Sequence, residues 1–250
     1  ISYFWFAGGL LFLITIQVAG EVVEFKAAKA EVNGFMMAHA GLGIAMGSIL
    51  VAMMSPNRIE LGMVPVGGLG MAITAIAVAA LQPTEAFFSW FNGNLFLLGT
   101  FSAMFLVPLN ALLQDMVPPE NRGRMLSASA LLDSVAGLVA IAVQYAFIRL
   151  GVSTPLQFIL MGVMSLAAAS YLVRLLPQNF IRFVVLMLLR TIYRIRPINA
   201  KALPETGGAM LVANHLSYID AFIISAASDR AVRFVIFEHF MTVKWMQPFL

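Results

Sequence analysis

The spacing of its charges constrains this chain more than any other feature. Residues 1–20, 32–57, 61–84, 86–114 and 150–173 contain no Lys, Arg, Asp or Glu, and 125–148 is interrupted only by Asp133. About 20 mostly apolar residues in a helix cross the ~30 Å hydrocarbon core of a bilayer, so all six stretches are long enough. Barrel strands are about half that length, and backbone inside lipid must satisfy its own hydrogen bonds. The expected fold class is therefore mostly α, a polytopic membrane protein with six transmembrane helices. Composition agrees: 61% of residues are hydrophobic and 11% charged, against roughly 45–50% and about 25% in soluble domains. Such apolar content excludes a disordered chain. The lack of cysteine excludes a disulfide framework, a thiolate metal site and a cysteine nucleophile. The first stretch has neither the basic start nor the small-residue cleavage pattern of a secretory signal.

Lys and Arg are retained on the cytoplasmic side of a membrane, so the connections between spans give an orientation. One alternating set holds Arg58, Arg122, Arg124, Arg174, Arg182, Arg190, Arg194 and Arg196, and the other holds only Lys26, Lys29 and Arg149. The first set is expected in the cytoplasm, together with the Ile1 end and everything after Arg174. The net charge of +3 then reflects topology, and no basic patch with interleaved aromatics supports nucleic-acid binding.

Composition shifts near Pro177, which predicts three parts: a membrane unit over 1–176, an interfacial helix or linker over 177–196, and the start of a mixed α/β domain over 197–250. From Phe180 to Ile195 the arginines at 182, 190 and 194 fall within an arc of about 120°, opposite Val184, Leu188 and Ile195, as in a helix lying on a membrane surface. Ala209–Ala213 and Val232–Phe237 read as short strands flanking a helix over Ser217–Ala227. Because the chain opens on Ile1 inside an apolar run and stops at Leu250 in mid-pattern, it is expected to be a piece of a longer protein. A domain of this class typically needs about 100 residues or more.

Two loops in the membrane unit share a composition. Pro118, Pro119, Glu120, Asn121, Arg122, Gly123 and Arg124 give a break, a charge pair and a turn leading into a helix. Ser55, Pro56, Asn57, Arg58, Ile59, Glu60, Leu61 and Gly62 repeat that logic. Such loops also serve as topology signals in many membrane proteins. With six helices around them, residues 1–176 resemble the C-terminal half of a major facilitator superfamily transporter. The resemblance implies alternating access, with two six-helix halves rocking about a site near the midplane. The N-terminal half would then be a missing partner, and these residues alone would not transport.

Polar residues within the spans are the candidates for a transport path. Asp133 costs about 2.5–3.5 kcal/mol to place in a membrane and should face the bundle interior. It is a candidate for cation coupling or headgroup binding, or an acid paired with a polar neighbour. His39 is a weaker candidate, with packing as the alternative and no second ligand at metal spacing. Asn110 and Gln144 line a polar path or bond across helices, and Gly43 and Gly47 have the spacing of close helix packing.

The sharper pattern is Asn214, His215, Leu216, Ser217, Tyr218, Ile219 and Asp220, between a predicted strand and a predicted helix. Histidine is the usual general base near neutral pH, and a carboxylate on one ring nitrogen fixes its tautomer. His215 and Asp220 are candidate catalytic residues on that ground. Ser217 with Asp220 also fits a helix capping box, and the two readings are compatible.

Together with Pro204 to Gly208 and the segment Val232 to Phe237, this block resembles the first motif of the glycerolipid acyltransferases related to 1-acylglycerol-3-phosphate acyltransferase. The resemblance covers about residues 180–250. It implies that His215 takes the proton from a glycerolipid hydroxyl attacking an acyl thioester, with Asp220 supporting it. It implies an acyl-carrier-protein or coenzyme A thioester as donor, no bound cofactor and no metal. The family's phosphate-binding block would lie beyond Leu250, so catalytic competence of this stretch alone is not expected. The order of parts resembles the bacterial fusion proteins that join a lysophospholipid transporter to a lysophospholipid acyltransferase. That implies an inner-membrane protein with a cytoplasmic acyltransferase and lysophospholipid as partner. The alternatives are a transporter with a regulatory or inactive appended domain, and a membrane-anchored interaction module.

Overall fold

The computed structural model describes residues 1–23, 26–55, 59–83, 86, 89–193, 195–196, 198, 202–204, 206–214, 216–217, 219–228 and 232–235. The chain separates into two compact units, Ile1–Leu175 and Leu176–Leu250.

The first unit is a helical bundle: α1 (Ser2–Val22), α2 (Lys26–Met54), α3 (Met63–Ala79), α4 (Trp90–Met116), α5 (Arg122–Arg149) and α6 (Thr154–Leu175). All except α3 are long and apolar enough to cross a membrane, and the chain is a mostly helical, polytopic membrane protein. The sixth expected span, 61–84, is helical only over the 17 residues of α3, about 26 Å at 1.5 Å per residue. Its glycines bring it deep into the bundle: a Cβ on Gly67 would meet the Phe105 nitrogen at 2.5 Å, and one on Gly68 the Ala169 Cβ at 3.0 Å.

Sequence chemistry sets the helix ends. Ser89 Oγ accepts from the Asn92 amide at 3.1 Å and caps α4, satisfying a donor with no intrahelical partner. At the end of α5, Gly151 adopts φ +66°. Val152 N–H donates to Phe147 O at 2.9 Å and Gly151 N–H to Ile148 O at 3.2 Å. This pair of bonds is a Schellman ending, which glycine permits because it has no Cβ. The break before α5 is a short 3-10 turn, Pro119–Asn121, with Arg122 Nε donating to Val117 O at 3.2 Å. In the other loop Ser55 Oγ accepts from the Glu60 amide at 3.1 Å; Pro56, Asn57 and Arg58 lie outside the described residues.

α1 is the hub, burying Leu10, Leu11, Ile14, Val18 and Ala19. α2 packs along α4, α3 sits against α4 and α6, and α5 lies on α1. Along α5 only Ala140 and Gln144 are buried. Leu131, Leu132, Leu138, Ile141 and Ile148 are exposed, an apolar surface that water would penalise and lipid does not.

The second unit contains α7 (Pro177–Ile192) and α8 (Asp220–Ala227). Leu186 and Leu189 of α7 pack with Phe222 and Ala226 of α8. The expected helix over Ser217–Ala227 is thus present, but starts three residues later. The two expected strands are not found among the described residues: 209–213 and 232–235 are irregular, with Met210, Val212 and Val235 exposed. A strand gains its bonds only from a neighbour, and a pair without a third strand or a packed helix is marginal. Ile236 and Phe237 lie outside the described residues.

Candidate functional site

The turn before α8 is built around one carboxylate. Asp220 Oδ2 accepts from the Leu216 amide at 2.6 Å and the Ser217 amide at 2.8 Å. The Asp220 amide donates to Ser217 O at 3.1 Å, and the Ile219 amide to Ser217 Oγ at 3.4 Å. Half of the expected capping box is therefore made, since the acid reaches back to the Ser217 amide as a box requires. The other half is replaced: the residue before α8 is Ile219, with no side-chain cap, and Asp220 opens the helix. Negative charge is favourable in a first turn, and ionised acceptors strengthen such bonds. His215 and Tyr218 lie outside the described residues. What is defined is that the Asp220 carboxylate binds the peptide nitrogen that follows His215 in the chain.

In the bundle, Asp133 is half-buried on α5; its Oδ1 accepts from Ser2 Oγ at 2.8 Å and its Oδ2 from Ser129 Oγ at 3.5 Å. His39 is buried, its Nδ1 2.8 Å from Phe35 O one turn back on α2. Asn110 is half-buried on α4. No bond among the described residues joins these three to one another. A narrow apolar cleft between α1, α2, α4 and α6 is lined by Phe4, Gly8, Ile44, Leu98 and Met161. The Ser165 hydroxyl, also on the cleft, meets Tyr3 Oη at 2.6 Å.

Gln144 belongs to a network the sequence did not reveal. Its Nε2 donates to Gln17 Oε1 at 3.0 Å and to Gln157 Oε1 at 3.1 Å. Gln157 Nε2 donates to Gln17 Oε1 at 3.1 Å and Val152 O at 2.8 Å. Gln17 Nε2 reaches Glu21 Oε1 at 3.1 Å and Thr154 Oγ1 at 3.3 Å, and Thr154 Oγ1 donates to Glu21 Oε1. Of the two roles expected for Gln144, bonding across helices is the one seen. No group of three or more His, Cys, Asp or Glu comes together among the described residues.

Neither a search of curated proteins nor one of solved structures found a match to this chain. Residues 194–250, which include the Asp220 turn and α8, match the sequence model of the Acyltransferase family, and acyl transfer is the chemistry this match supports for that part of the chain.

Proposed function

We propose that the chain is part of a bifunctional protein of the bacterial inner membrane that moves lysophospholipid across the bilayer and re-acylates it on the cytoplasmic side. The observation that carries this reading is the Asp220 turn within the acyltransferase match, on a chain whose preceding residues form a polytopic bundle. In the reaction, His215 takes the proton of a glycerolipid hydroxyl as its oxygen attacks the carbonyl carbon of an acyl thioester. The ester C–O bond forms, the C–S bond breaks, and the thiol leaves with the proton. Asp220 holds the turn that carries His215 and favours its protonated form. The acyl donor is coenzyme A or acyl carrier protein, and neither metal nor bound cofactor is needed.

The chain order supports coupling of the two activities. α7 begins two residues after the end of α6. Its Phe183, Leu186 and Leu189 are buried, whereas Leu188 and Ile192 on the opposite side are 55% and 70% exposed. An uncovered apolar stripe directly after a span suits a helix lying in the interface, where a translocated lysolipid would arrive without passing through water. Transport itself rests on the resemblance of the six helices to half of a facilitator, with Asp133 as the candidate coupling or headgroup residue.

Membranes carrying the intact protein test this by transfer of labelled acyl groups to lysophosphatidylethanolamine. His215→Ala should reduce transfer by about 10²- to 10⁴-fold, the contribution of a general base. Undiminished transfer would refute the assignment and leave the turn as a helix start only.

A further inference from the structure

We propose that the amide network joining α1, α5 and α6 is a binding site for a small cation, an alkali ion or a primary ammonium group. Hydrogen counting carries the argument. Both amide hydrogens of Gln17, Gln144 and Gln157 and the hydroxyl hydrogen of Thr154 are spent on acceptors within the network or on Val152 O. An acceptor remains: Gln144 Oε1 is buried and has no partner, on a side chain only 4% exposed. Reversing that amide would set its oxygen against the oxygens of Gln17 and Gln157, so the network itself fixes the orientation.

A buried acceptor without a donor costs about 1–3 kcal/mol, and among the described residues the network has no donor left to relieve it. Any occupant must therefore donate hydrogens or carry positive charge. Glu21, at the exposed edge of the same network, is the one formally charged member among the described residues, and its charge is negative. The oxygens of the network belong to amides, a hydroxyl and a carboxylate, with no imidazole or thiolate, a composition that suits a hard cation rather than a transition metal. Amide-type oxygens replace the hydration shell of alkali ions in the same way. The site is at the end of α5 that carries Arg149 and away from Arg122 and Arg174; the Arg149 Nε donates to Tyr145 Oη at 2.9 Å and its guanidinium lies over that ring, outside the network. It uses neither Asp133 nor the Asp220 turn, and it stands or falls independently of acyl transfer and uptake.

The test is thermal unfolding of the intact protein in detergent, at matched ionic strength, in the chlorides of sodium, potassium, ethanolammonium and choline. At least one of the first three should raise Tm saturably. Choline, with no N–H and a bulkier head, should not. A sodium or potassium response identifies an alkali-ion site, and a response to ethanolammonium alone identifies an ammonium site. Gln144→Leu removes the unpartnered acceptor and should abolish the response. Glu21→Gln keeps the shape at an exposed edge where folding is not at risk, and should raise the half-saturating concentration about two- to fivefold. If the four salts act alike, or if Glu21→Gln retains the wild-type response, the site does not bind cations, whether or not Gln144→Leu folds.

Discussion

Substituting one glycine on α2 should be enough to loosen the bundle. A Cβ added to Gly43 would lie 1.9 Å from the Phe96 carbonyl oxygen, one on Gly47 would lie 2.3 Å from that of Thr100, and one on Gly99 of α4 would lie 2.0 Å from that of Ala40. The obstacles are backbone atoms, so no rotamer change relieves them. For Gly43→Ala to reach an ordinary contact of 3.4 Å, α2 and α4 must part locally by about 1.5 Å. A radial gap of 0.5–1 Å already forfeits a quarter to a half of each dispersion contact, and overpacking costs about 1–3 kcal/mol by itself. With lipid tails as apolar as the side chains, no hydrophobic gain compensates. The expected destabilisation is about 2–4 kcal/mol. Gly8→Ala on α1 is the control, because nothing lies within 4 Å of its added Cβ, and its effect should stay within about 0.5 kcal/mol. The assay is the midpoint of SDS-driven unfolding of the intact protein in mixed micelles, followed by circular dichroism. Equal midpoints for the two alanine variants would refute the claim that contact across α2 and α4 depends on these glycines.

Three further substitutions separate structure from function. Asp220→Asn can still accept from the Leu216 and Ser217 amides but loses the charge that, in the proposed reaction, would support a protonated imidazole. Acyl transfer should fall about 10²-fold or more with the fold retained, and retained activity would make Asp220 a turn former alone. Asp133→Asn keeps an acceptor for Ser2, so the α1–α5 contact should survive while lysolipid uptake into vesicles falls; unchanged uptake returns Asp133 to a packing role. Trp in place of Leu188 should be quenched by brominated acyl chains more strongly than Trp in place of Arg190, and the reverse order would place the Leu188 face of α7 away from lipid.

Charge spacing was enough to place the membrane helices, because the cost of a charge in lipid is read directly from composition. It could not give the length of α3, which depends on where the chain leaves the bundle rather than on where charges resume. Gly43 and Gly47 were legible as packing residues because small residues four apart have little other use in a span. The strands expected at 209–213 and 232–237 show the opposite case. A run of apolar residues states a preference for burial, but pairing needs a partner that no local pattern supplies. For Asp220, spacing identified the reach back to the Ser217 amide. The second bond to Leu216 and the later helix start were not legible, since both depend on where the Asp220 carboxylate comes to lie against the amides of Leu216 and Ser217.

The glutamine network was only partly legible in the sequence. Gln144 reads as one polar group inside a span, whereas Gln17 and Gln157 stand near the edges of their stretches, where polar residues are common. Yet α1 and α5 cross the membrane in one direction and α6 in the other, so the end of α1, the end of α5 and the start of α6 share one side of the membrane. Gln17 is five residues before Val22, Gln144 five before Arg149, and Gln157 three after Thr154. The three amides therefore sit at nearly one depth, and an amide near a span end that faces inward needs a partner at its own depth. Depth matching across the spans groups these residues from the sequence alone. What it could not supply is the rotation of each helix about its axis, which turns equal depth into hydrogen bonds and leaves one oxygen of Gln144 buried without a donor.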